Sequence, residues 1–94
     1  MCKSDVFQHI LAIVSAETEV PPSAILSGDR RAETVDARYI LTELCFRHGL
    51  YPCAIAAKTG LTARAVNHIL ATFEERISAR RMMRMEYDAV KNKY

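Results

Sequence analysis

Tryptophan is absent from the 94 residues, and glycine, proline and cysteine occur only three times each. So little glycine and proline excludes collagen-like and low-complexity chains. An odd count of cysteines (Cys2, Cys45 and Cys53) argues against a disulfide framework and for free thiols in a reducing compartment. Long apolar runs are missing too. The longest, Ile10 to Val14, is far short of the roughly 18–20 residues a membrane-spanning helix needs. The opening Met1-Cys2-Lys3-Ser4-Asp5 lacks the basic and apolar regions of a secretory signal, so a cytoplasmic location is expected, with no membrane partner. A net charge of +2 is too small to mark the whole chain as basic, so any nucleic-acid reading rests on where the charges lie.

Catalytic and nucleotide-binding signatures are likewise missing. No GxxxxGK[ST] loop occurs, which excludes a P-loop nucleotide site. Glu74 and Glu75 are adjacent and point to different sides of a helix, a poor arrangement for paired acid–base work. No serine lies in a nucleophile motif, so an enzyme is not expected and no cofactor is implied. No alternating strand pattern of useful length occurs either. What remains is ordinary globular composition, half apolar and 26% charged, whose periodicity is helical throughout.

The spacing predicts one helical domain over residues 1–94, a compact bundle of four to six helices. The first helix covers about Asp5 to Glu17, capped by Ser4, with Phe7, Ile10, Leu11 and Val14 on one face. Pro21 and Pro22 stop it. A short helix starts at Pro22, faces Ile25 and Leu26 inward and ends by Gly28; a polar loop, Ser27 to Glu33, follows. The next helix, about Thr34 to His48, has a stripe of Val35, Ile40, Leu41, Leu44 and Cys45 and a left-handed cap at Gly49. Another short helix runs from Pro52 to Thr59. A longer one, capped by Thr62, carries Val66, Ile69, Leu70, Phe73 and Ile77. The last, capped by Ser78, covers about 79–92.

Residues 52–70 have the steric pattern of a helix-turn-helix. Ala56 supplies the small residue where the second helix crosses the first. Gly60, four residues later, takes the left-handed conformation of the turn without a Cβ penalty. Ile55, Leu61, Val66 and Ile69 have the spacing to lock the two helices together. The outward positions of the second helix are then Ala63, Arg64, Asn67 and His68, with Thr62 at its start. Arginine pairs with guanine and asparagine with adenine through two hydrogen bonds each, and short Thr and Ala side chains allow close approach to a major groove. Lys58, just before the turn, is in reach of the backbone in this arrangement. Double-stranded DNA is therefore the expected partner, and a protein-interaction module of the same fold is the alternative.

The order of these segments resembles the C-terminal DNA-binding domain of the bacterial chromosomal replication initiator DnaA, over roughly Ile10 to Ile77. Val14 through Val20 to Ile25-Leu26-Ser27 is similar to the segment before that family's basic loop. Asp29-Arg30-Arg31, then Val35 and Ala37-Arg38, is similar to the loop and the start of its long helix. Ile40 and Leu44 match apolar positions of that helix, and Pro52, Ile55, Gly60, Val66 and His68 lie in the helix-turn-helix. The resemblance implies a fold of the Trp-repressor and DnaA C-terminal type, acting in replication or transcription regulation without an ATPase. It also implies two contacts: Arg30, Arg31 and Arg38 on a minor groove or backbone, and the second helix in the major groove. The family's turn signature, Arg-Asp-His-Thr-Thr-Val, is replaced by Leu61-Thr62-Ala63-Arg64-Ala65-Val66, which keeps the valine alone. Asp29, Glu33 and Asp36 dilute the basic loop.

Two other constellations stand out. Cys45, His48 and Cys53 are close in sequence, with His9 or His68 as conceivable further ligands, but match no common zinc spacing, which favours structural thiols over a metal. Arg76, Arg80, Arg81 and Arg84 cluster beside Met82, Met83 and Met85. That segment suits a solvated helix with core-filling methionines, a homodimer or protein-partner surface, or an auxiliary phosphate contact.

Overall fold

A computed structural model describes residues 2–94. It is all-helical among those residues, with six helices: α1 (Lys3–Thr18), α2 (Pro22–Ile25), α3 (Ala32–Arg47), α4 (Pro52–Thr59), α5 (Ala63–Ala79) and α6 (Arg81–Lys93). No helix among the described residues is long and apolar enough to cross a membrane. All six contribute to one core, built from Phe7, Ile10, Val14, Ile25, Ile40, Leu41, Leu44, Ile55, Val66, Phe73, Met83 and Val90, among others.

The boundaries follow local chemistry. Pro22 and Pro52 each sit in the first turn of a helix, where the missing N–H would have no intrahelical partner. Gly60 ends α4 at φ 80°, and Thr62 Oγ1 accepts a hydrogen bond from the Ala65 amide at 3.0 Å, capping α5. Two expected caps are corrected. Cys2, not Ser4, precedes α1, and Ser4 Oγ instead accepts from Lys58 Nζ at 2.8 Å. Ser78 lies inside α5; the break falls at Arg80, whose extended backbone (φ −126°, ψ 102°) separates α5 from α6. The short helix also ends earlier than Gly28, at Ile25.

α3 is the central helix, packed against α1, α2, α4, α5 and α6. This explains why its buried surface is wider than a single stripe and takes in polar residues: Thr34, Asp36, Arg38 and Thr42. Thr42 satisfies its hydroxyl on the Arg38 carbonyl at 2.8 Å. Asp36, expected to dilute a basic loop, is instead 1% exposed. It accepts from Arg76 Nε at 2.9 Å and from Arg80 Nε at 2.8 Å. That fork ties the C-terminal end of α5 to α3. It also removes Arg76 and Arg80 from the freely solvated cluster expected near the C-terminus, leaving Arg81 and Arg84 exposed. Val35 is only half-buried, on the side of α3 that faces α5.

Candidate nucleic-acid interface

The α2–α3 loop and the first turns of α5 face one another across an open groove of about 590 Å³. Its floor is apolar, from Val35 and Tyr39 of α3 and Leu61, Ala65 and Ile69 of the turn and α5. Its two rims are polar: Ser27, Gly28 and Arg30 on the loop side, Thr62, Arg64 and His68 on the α5 side. Five expected contact residues, Arg30, Arg38, Thr62, Arg64 and His68, thus line one groove although 24 to 38 positions separate Arg30 and Arg38 from the other three. Arg30, Arg64 and His68 are exposed. Ala63 and Asn67 are exposed on the first two turns of α5, outside the groove lining.

The loop that carries Arg30 is stiffened from within. Asp29 accepts from the Arg31 amide at 3.2 Å and from the Thr34 hydroxyl at 2.9 Å. These hydrogen bonds, with the Arg31 charge nearby, hold its carboxyl below the usual range. Asp29 is therefore an organiser of the loop, and its charge is turned inward. Arg31 lies 3.7 Å from Asp29 and lines a different hollow with Glu19, Pro21 and Glu33. It is not brought into the groove with Arg30.

Two more expected contacts are engaged within the fold. Arg38 is 9% exposed. Its Nε donates to the Ile25 carbonyl at 2.9 Å, and one terminal nitrogen donates to the carbonyls of Ser27 at 2.8 Å and Asp29 at 3.1 Å. The C-terminal end of a short helix and the turn after it leave carbonyls without intrahelical partners, and a long cationic side chain nearly two turns into α3 reaches them. Burial lowers the Arg38 pKa from its ordinary value and Asp29 opposes the drop. Lys58 is turned toward α1, where its ammonium meets Ser4 and lies 5.9 Å from the Phe7 ring centroid.

The sequence favours a packed role for Tyr39 over a phosphate contact and gives Asp36 no partner. Tyr39 forms the floor, its hydroxyl 3.3 Å from Thr72 Oγ1 and its ring under the Arg76 guanidinium at 5.0 Å. With His68 it also borders a second hollow of about 410 Å³ that continues along α5 past Thr72 and Glu75 to Arg76 and Arg80. The signal was spacing: Asp36 and Tyr39 stand three apart on α3, and Thr72 and Arg76 four apart on α5. The cysteines do not form a shared site. Cys45 is buried and Cys2 and Cys53 are exposed, and no cluster of three metal-ligating side chains occurs among the described residues. Burial pushes the Cys45 thiol up to about 12.

Compared with known protein families, curated proteins and solved structures, the chain matches none.

Proposed function

We propose that this chain binds double-stranded DNA through the groove between the α2–α3 loop and α5. The observation that carries the reading is the placement of Arg30 opposite Arg64 and His68, two cationic rims separated by a width of apolar floor. One rim is a helix N-terminus, where unpaired amides and the helix dipole favour a phosphate. Arg30 and Arg64 act as phosphate contacts that set affinity, while Ala63 and Asn67, exposed on the outer face of the same turns, are placed for base edges. In this reading α4, the Gly60 turn and α5 form a helix-turn-helix. The chain is then a cytoplasmic counterpart of the DnaA C-terminal domain, acting in regulation or replication without an ATPase. The groove contact set is smaller than the sequence suggested, because Arg38 and Lys58 are engaged elsewhere.

The test is fluorescence anisotropy of a labelled random-sequence duplex pool at several salt concentrations. With these two arginine–phosphate contacts, affinity should fall with salt at a log–log slope of about −2. An Arg30→Ala/Arg64→Ala double variant should bind at least tenfold more weakly with a shallower slope, whereas Lys58→Ala should change neither. A folded protein that does not bind at low salt would remove the DNA reading. It would favour the protein-interaction alternative, for which Met82 and Met85, 63% and 61% exposed on α6, are the surface to probe.

A further inference from the structure

We infer that Arg38 is the positioning residue of the groove: it acts on a bound phosphate through Arg30, by fixing the loop, and never by touching the ligand itself. The inference rests on the DNA reading above for its ligand, and on the loop geometry for its mechanism.

Six residues, 26–31, separate α2 from α3. A loop of that length, carrying an exposed arginine at its tip, is ordinarily mobile. Here one guanidinium gathers it. Arg38 bonds the carbonyl of Ile25, the last residue of α2, and those of Ser27 and Asp29, the residues on either side of Gly28. A fourth carbonyl, Ala24, lies at 3.4 Å. The donors are planar and fixed relative to one another, so satisfying them fixes the carbonyls relative to α3. Arg30 follows directly after the last of these carbonyls, and the Asp29 side chain accepts from the amide of the next peptide, that of Arg31, and from the Thr34 hydroxyl. Arg30 is thereby held at one rim before any ligand arrives. Holding a contact residue in its bound position removes an ordering cost from binding. Arg38 also lines the groove, but its Nε and one of its two terminal nitrogens are committed to carbonyls.

This role separates cleanly from direct phosphate contact. A lysine at 38 keeps the charge but not the fork. If Arg38 met a phosphate, Arg38→Lys would keep most of the affinity, since lysine serves as a point charge for phosphate. In the positioning role Arg38→Lys loses affinity like Arg30→Ala, by about tenfold for one charge-assisted contact. The double variant Arg30→Ala/Arg38→Lys is then no weaker than Arg30→Ala alone, because both act through one contact.

The experiment combines duplex titrations of these three variants with NMR of the wild-type chain. The guanidinium Nε–H of Arg38 should exchange slowly and keep its shift as duplex is added, while that of Arg30 moves; amide exchange over 27–31 should quicken in Arg38→Lys, with α3 and α5 amides unchanged. Retained affinity in Arg38→Lys, additive losses in the double variant, or an Arg38 signal that shifts as far as that of Arg30 would overturn the proposal. The wild-type signals decide the matter even if the substitution disturbs folding. If wild type binds no duplex, the DNA reading falls; slow Arg38 exchange then upholds the clamp, and fast exchange overturns it.

Discussion

Asp36 and Cys45 show how much of this chain's polar chemistry is structural. Asp36 is nearly enclosed, and its two arginine partners, Arg76 and Arg80, are 27% and 38% exposed. Breaking a fully buried pair costs roughly 3–5 kcal/mol, and solvent around the arginines discounts that. Asp36→Ala is therefore expected to lower stability by about 2 kcal/mol in chemical denaturation, through loss of the α3–α5 tie. A loss below about 0.5 kcal/mol would mean that the arginines are held some other way. Cys45, with its thiol at about 12, carries almost no thiolate at neutral pH, and the thiolate is the reactive form. A thiol reagent at pH 7.5 should label Cys2 and Cys53 quickly and Cys45 only on unfolding. Fast labelling of all three in the folded protein would contradict the buried position of Cys45.

Among the elements, the α4–turn–α5 segment depends on two residues that do different work. Gly60 has nothing within 4 Å of where a Cβ would stand, yet its φ is +80°. The cost of Gly60→Ala is thus purely conformational, about 1–2 kcal/mol. Gly28 has equal space and no such backbone constraint, so Gly28→Ala should be near neutral. Thr62→Ala removes the α5 cap and should cost about 1 kcal/mol. Thermal unfolding of the three variants side by side checks the ordering; equal losses at Gly28 and Gly60 would contradict it. This segment was also the most legible in the sequence. Pro52, Gly60 and Thr62 act through local backbone chemistry, which one chain spells out, and all three sit where the sequence put them. The α5–α6 boundary was not legible: Ser78 is a good capping residue, but the break is set two residues later by Arg80 reaching Asp36, a contact spanning 44 positions. Arg38 was misread for the same reason. Its side chain looks like a surface contact until α2 is folded back over α3, which no local pattern announces.

At the scale of the molecule, net charge is a poor guide to the interface. The excess of +2 conceals a sorting of charges. Arg38, Arg76 and Arg80 are bonded within the fold, Arg47 is paired with Glu43 and Lys93 with Glu17. Arg30 and Arg64 are left on opposite rims of one groove with His68. Packing of α3 against the five other helices makes that groove possible, because α5 and the loop both need a fixed platform and α3 supplies it. The same packing concealed the platform from the sequence, since a helix apolar on one stripe and polar elsewhere reads as a surface helix.

The most direct test of the groove is to add a short duplex to ¹⁵N-labelled protein at low salt and map the amide shifts. Changes confined to residues 27–31 and 61–68, with α1 and α6 silent, are the expected result. Shifts centred on α6, or spread evenly over the surface, would contradict a DNA interface built on the α2–α3 loop and α5.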